Sequence, residues 1–397
     1  MWNSFVTMDK EISEANSKLD YPDRFQNPGY IIGEPKWKLL VPRVQAFCET
    51  FEQSDIATFL ETLGPESRFI APPPVEPLFA EELLEVSDSG CLKQICVARM
   101  RFALEAKDHD TFNRALRHAL VVSRSVQGRA RLLNSLVAQS TYGFVDSQLR
   151  QWVLEGMLDE NTARAAFATI GSFPFPGLAS GYAGERFVIL QAIDFVFAQA
   201  GGEVPSTSPW RAFVSSGFGA LVPRDDRTAT TNKLIDGAVD LFSDDPGTHS
   251  RGAAAVNAVN DLLDHPPQGR LYEPLKTVAP VVNQALREDR KYRAVHEGVR
   301  VLLALELWKT KHARYPDQLT DLVPEVLDRL PKDPFACDRD LTYRLLDAEC
   351  HDPRRAFILY SVGYDGVDNG GKKHPGHSSE ATWPLGKGYD FILNVEE

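Results

Sequence analysis

The stretch "AFILYSVGYDGVDNGG", Ala356 to Gly371, decides how this chain is read. Its first half is a run of strand-forming residues, and its second half sets Asp365 and Asp368 among Gly363, Gly366, Gly370 and Gly371. Strand formers followed by glycine and aspartate mean a strand that ends in a tight turn. The turn admits three chemistries. A phosphate cradle wants a helix N-terminus and a basic residue after the glycines, whereas two carboxylates repel an anion. An ordinary Asp-Gly or Asn-Gly hairpin turn fits the dipeptides. A calcium cradle fits as well, because calcium takes about six to eight hard oxygen ligands from carboxylates and carbonyls. Glycines let the backbone adopt positive φ and turn its carbonyls inward.

Working outward, "KYRAVHEGVRVLLALELWKTKHA" from Lys291 places Tyr292, Val295, Val299, Leu302 and Leu303 on one helical face. That helix is expected to stop where Pro316 disfavours the helical region at Tyr315. "LPKDPF" (Leu330 to Phe335) reads as a proline turn. Strands are expected at 341–346 ("LTYRLL"), 356–362 ("AFILYSV") and 389–395 ("YDFILNV"). The hydrophobic period switches from 3.6 to 2, which signals an antiparallel sheet packed against the helix.

This order of signals resembles the C-terminal globular domain of type II secretion major pseudopilins. The motifs that carry the resemblance are Tyr315-Pro316, Leu330-Pro331-Lys332-Asp333-Pro334-Phe335, and Tyr-Ser-x-Gly-x-Asp-Gly at 360–366, and it covers about residues 291–397. It implies a long helix on a three- or four-stranded antiparallel sheet and a calcium ion (Ca2+) in the loop after the penultimate strand. Asp365 falls on the motif aspartate, Asp368 lies in the acidic glycine segment that follows, and Asp390 corresponds to the aspartate entering the last strand. The resemblance also implies an extracytoplasmic setting, periplasm or cell envelope, although "MWNSFVTMDKEISEANSK" lacks the basic start and apolar core of an export signal. Pseudopilins open with a basic leader and an apolar filament helix. Here some 290 residues of other character precede the tail helix, so an anchor is expected only upstream, if the chain is an excerpt.

Those preceding residues read as an irregular arm (1–35) and an α-helical domain (36–290). "APPPVEP" (Ala71 to Pro77) forbids helix. In "TFNRALRHALVVSRSV" the residues Phe112, Ala115, Leu116, Ala119, Leu120 and Val122 form a buried stripe, with Arg114, Arg117 and Arg124 mainly away from it. "CLKQICVARMRFALEAKDHD" gives the amphipathic helix before it, with Asp110 as candidate N-cap. This hairpin is similar to a tetratricopeptide-like unit in architecture, but without a clean repeat period an irregular helical bundle is the favoured reading. "GSFPFPGLASGYAGE" (Gly171 to Glu185) breaks the helices, which resume at roughly 230–243, 251–264 and 270–287. The fold class is therefore α+β: a large all-α domain, then the small pseudopilin-like domain, 291–397.

Composition is that of an ordinary globular protein: 397 residues, 43% hydrophobic, 25% charged, formal net charge −12. The acidity is spread through both parts, with no basic stripe, which argues against nucleic acid. The apolar windows "FVILQAIDFVFAQA" and "VRVLLALELW" are too short and too charged to span a bilayer. Cys48, Cys91, Cys96, Cys337 and Cys350 form no CxxC pair, which speaks against structural zinc; Cys337 and Cys350 flank one strand, and the odd total favours free thiols. HExxH, GxSxG, Walker A and GxGxxG motifs are missing from the sequence. Ser215 and Ser216 beside Gly217 and Gly219 only echo a nucleophile loop, Asp244-Asp245 before Pro246 reads as a turn, and His374 and His377 read as a polar loop. His118, His296 and His312 read as solvated or packed helical histidines. The expectation is a non-enzymatic structural or interaction protein with a protein partner, calcium at Asp365, Asp368 and Asp390, and no catalytic residues. The alternative is an enzyme whose site is assembled from distant residues of the helical domain, near 171–185.

Overall fold

The computed structural model describes residues 37–67, 84–128, 131–198, 224–243, 245–265, 273–346, 356–374 and 388–394. The expected arm at 1–35, the prolines at 71–77, the Ser215-Ser216 segment, Cys350 and His377 lie outside these residues. The fold is α+β, mostly helical with a small antiparallel sheet.

Among the described residues the helices are α1 (Trp37–Glu52), α2 (Asp55–Glu61), α3 (Leu84–Ala106), α4 (His109–Val126), α5 (Leu132–Leu154), α6 (Glu160–Ser172), α7 (Ala179–Ala198), α8 (Arg224–Leu241), α9 (Pro246–Asp264) and α10 (Glu273–His312). In α4 the stripe from Phe112 to Val122 is buried as its spacing demands. Arg124 departs from that pattern: it is buried too, and donates from Nη1 to Gln127 Oε1 at 2.6 Å. The cap of α4 is Asp108 rather than Asp110. Asp108 is extended, and its Oδ1 accepts the Thr111 N–H at 3.0 Å, while Asp110 sits inside the first turn. Helix α3 is enclosed rather than amphipathic, because Ile95 to Met100 are all buried between α1 and α4. Asp245 and Pro246 start α9 instead of forming a turn: Asp245 Oδ2 accepts the Thr248 N–H at 2.7 Å and Pro246 occupies the first helical position, where its missing N–H costs nothing.

Helix α10 organises the molecule. It runs unbroken through residue 291, where the sequence suggests a break, because "REDRK" contains neither glycine nor proline. Its first half joins α7, α8 and α9 in one core, through Val282 and Ala285 packed with Leu234, Ile235 and Val256. Its second half belongs to a larger core that also holds α1 to α6 and the sheet. Val299 and Val301 to Leu305 are all buried, since helices cover one side of α10 and the sheet the other. Burying each Val or Leu side chain stabilises the fold by about 1.5–3 kcal/mol. The helix ends at His312, and Ala313 takes the left-handed conformation at φ 59°.

After a short 3₁₀ turn (Leu319–Leu322) come β1 (Lys332–Asp333), β2 (Ala336–Asp340), β3 (Thr342–Leu345), β4 (Phe357–Ser361) and β5 (Phe391–Ile392). β1 and β2 form an antiparallel hairpin, so Leu330–Phe335 is the start of a ribbon rather than a bare turn. β3, β4 and β5 form the antiparallel sheet in that order, with Thr342 opposite Tyr360 and Ser361 opposite Phe391. β5 pairs over two residues only, and Asn394 extends it by side chain: its Oδ1 accepts the Leu359 N–H at 2.8 Å and its Nδ2 donates to Phe357 O at 2.7 Å.

Candidate functional site

The glycine-aspartate loop leaves β4 and returns into β5. Its base is fixed by Asp333, the acid of the Lys-Asp-Pro-Phe turn. Oδ1 of that fully buried side chain accepts the Phe335 N–H at 2.9 Å and the Ser361 hydroxyl at 2.7 Å, and Oδ2 accepts the Val362 N–H at 2.9 Å. Ser361 Oγ in turn accepts the Gly363 N–H at 3.2 Å. Burial pushes the Asp333 carboxyl above the usual range against the pull of its three hydrogen bonds from Ser361, Phe335 and Val362.

Beyond Gly363 the loop is held by its aspartates. Asp365 Oδ1 accepts the Val367 N–H at 3.0 Å, and its Oδ2 reaches across to the Gly388 N–H at 2.7 Å. Asp368 Oδ1 accepts the Tyr360 hydroxyl at 3.0 Å and the Gly370 N–H at 2.9 Å. Asp390 is buried, and both its oxygens accept the Asn369 N–H at 3.1 Å; its Oδ2 also takes Gly371 N–H at 2.7 Å and Lys372 N–H at 3.1 Å. Its own N–H donates to Lys372 O at 2.9 Å. Gly363, Gly366, Gly370, Gly371 and Gly388 all have positive φ, which is why the sequence supplies glycine there. Desolvation works against ionisation of Asp365, but the Gly388 and Val367 amides and the Asn369 side chain outweigh it and hold the carboxyl below the usual range. Burial and the bond to Asp368 push the Tyr360 phenol up to about 12.

The three aspartates expected as calcium ligands thus share one loop, and each spends oxygens on N–H donors. An ionised carboxylate offers about four lone-pair positions. Asp365 and Asp368, in the more open part of the loop, keep some of theirs; Oδ2 of Asp390 is enclosed by three amides. Among the described residues no three His, Cys, Asp or Glu side chains are grouped to hold a metal ion. His374 packs edge-on against Tyr389 at 4.8 Å.

A second concave feature lies where α9, α10, Phe175 of the 171–185 segment and the residues around β1 meet. It is a cleft of about 840 Å³, with His296, Arg290 and Arg300 of α10 on one side and Arg329 and Lys332 on the other. His296 Nδ1 lies 3.1 Å from Asp146 Oδ2 of α5, and Asp146 is fully buried. Burial raises the Asp146 carboxyl above its ordinary value, against the opposing pull of His296.

No family model matches the chain, and neither a curated protein nor a solved structure does.

The other helical histidines are packed partners. His118 is buried between Glu61 Oε1 at 2.9 Å and Arg99 Nη1 at 3.2 Å, and Arg99 also pairs with Glu52. Desolvation lowers the His118 imidazole to about 4, with Arg99 adding to that shift and Glu61 opposing it. His312 stacks on Trp308 at 4.0 Å and pairs with Glu325 at 2.8 Å. Sequence reasoning missed Asp333 and Asp146. Asp333 carried a signal, since Asp-Pro after a helix stop is a side-chain-to-backbone turn former. Asp146 carried none: it lies 150 positions from His296.

Proposed function

We propose that this chain is a non-enzymatic structural or interaction protein, in which a helical scaffold carries a calcium-stabilised C-terminal module resembling the globular domain of type II secretion major pseudopilins. The role that follows is in secretion or cell-envelope assembly, with a protein partner. Asp365, Asp368 and Asp390 are the carboxylates that would hold the ion, together with loop carbonyls. When bound, calcium supplies only charge and fixed coordination. The loop residues themselves hold the turn and present oxygens.

The observation that carries this reading is the way the loop is held. Among its described residues, 363–374 and 388–390, three aspartates grip backbone N–H groups, several of them at left-handed glycines. Such a loop carries three carboxyl groups, and Asp365 and Asp368 keep lone pairs of the hard oxygen type that calcium takes. Thermal melts in calcium and in chelator test it. The expected result is a higher melting temperature in calcium for the wild-type chain and none of that gain for Asp365→Ala. Coincident melts for the wild type would sink the reading.

A further inference from the structure

The cleft beneath β1 belongs to no part of the calcium reading, and its chemistry is of another kind. Its apolar lining includes Leu241, Phe242, Leu286 and Phe175, whose ring also carries the Arg293 guanidinium at 5.3 Å. Cations from α10 also line it, and three of its four acids are engaged, while Asp328, next in sequence to Arg329, is exposed. Glu297 pairs with Arg300 at 2.9 Å, Asp340 with Lys332 at 2.8 Å, and Asp333 is wholly turned to Ser361, Val362 and Phe335.

Arg290 differs from its neighbours. Its Nη2 lies 3.0 Å from His249 Nε2, while His249 Nδ1 lies 2.6 Å from Leu241 O. A carbonyl oxygen can only accept, so Nδ1 carries the hydrogen and Nε2 presents its lone pair to the guanidinium. The Arg290 charge therefore rests on a neutral acceptor and is not cancelled by it. Arg300 lines the cleft too, but its Nη1 is taken by Glu297 at 2.9 Å. His296, whose Nδ1 lies 3.1 Å from Asp146 Oδ2, also lines the cleft. A largely apolar lining with a few polar groups, in a volume of about 300–1,000 Å³, is the usual form of a small-molecule site.

We infer that this cleft binds a small organic anion, an apolar body bearing one carboxylate or phosphate group, with the body against Phe175 and Phe242 and the anionic group on Arg290. Arg329, exposed on the other lip, adds long-range attraction. Charge-assisted bonds from arginine are the strong ones, and they suit planar or tetrahedral oxyanions.

Calorimetric titration of the full chain with phenylphosphate, with benzyl alcohol as the uncharged control and chelator present throughout, tests this. Chelator separates the result from the fate of the calcium reading. The wild type is expected to bind phenylphosphate and to bind benzyl alcohol far more weakly. Arg290→Gln is expected to weaken phenylphosphate binding by about tenfold or more, the loss of one charged hydrogen bond. If Arg290→Gln no longer melts cooperatively, Arg329→Gln on the exposed lip decides, with weakening that vanishes in high salt. No heat with the wild type, equal binding of the two ligands, or unchanged affinity in the deciding variant would overturn the proposal.

Discussion

Asp333 and Ser361 meet at 2.7 Å across 28 residues of sequence, carboxylate to hydroxyl, in a fully buried setting. This contact welds the Lys-Asp-Pro-Phe hairpin to the end of β4 and so sets the base of the glycine-aspartate loop. Ser361→Ala removes a bond to a charged acceptor, and is expected to cost about 1.5–3 kcal/mol in urea unfolding. Asp333→Ala strands the Ser361 hydroxyl and the Val362 N–H as well, so it should cost more. A Ser361→Ala variant as stable as wild type would show that the contact contributes nothing.

Asp390 should matter to one segment above all. Asp390→Asn keeps the shape but replaces a carboxylate oxygen with an NH₂ group facing N–H donors. Hydrogen exchange at Asn369, Gly371 and Lys372 is expected to accelerate much more than exchange in α4 of the helical core. Uniform acceleration along the chain would point to global destabilisation instead.

His118 gives a pH dependence whose sign follows from its burial. The unfolded chain takes up a proton near the ordinary histidine value of about 6.5, whereas the folded chain takes it up only near 4. Between those values the unfolded state binds more protons, so stability falls as pH drops through that window. His118→Gln is expected to flatten the slope of unfolding free energy between about pH 6.5 and 4. An unchanged slope would assign it to other groups.

Two glycines separate packing from conformation. Gly252 in α9 lies against α8, and an added Cβ would come 2.6 Å from Gly237 O and 2.7 Å from Asp240 C, backbone that cannot step aside. Gly252→Ala is expected to cost about 1–3 kcal/mol or more in the α7–α10 core. At Gly371, with φ +79°, the Cβ would meet the movable Ile358 Cδ1 at 2.6 Å, so strain of about 1–2 kcal/mol dominates there. Equal and negligible costs in thermal melts would contradict both.

Much of the tail was legible in advance because its signals are local. Alternating strand formers located β3, β4 and β5, and glycine with aspartate located the loop between the last two. The β1–β2 hairpin was not legible, since two prolines in "LPKDPF" mask a pairing that Asp333 makes possible from inside. The continuity of α10 was also hidden: a polar run looks like a linker until packing on both sides makes helix the cheaper state. Arg124 and the enclosed face of α3 show the same limit, for helix periodicity reports one buried face and these helices have more than one. The Asp146–His296 pair and the cleft join residues from distant elements, and only the tertiary fold brings them together. Asp365, Asp368 and Asp390 do fall on one loop, though their first partners are backbone N–H groups.

The most direct measurement is calorimetric titration of calcium into the chelator-treated full chain and into the double variant Asp365→Asn, Asp368→Asn, which keeps the turn-forming side chains but removes two charges. The account predicts one ion per wild-type chain, with an affinity in the range of about 10⁻⁴ to 10⁻³ M typical of extracellular modules, and loss of that binding in the variant. Wild-type and variant chains that take up calcium alike, or not at all, would contradict it.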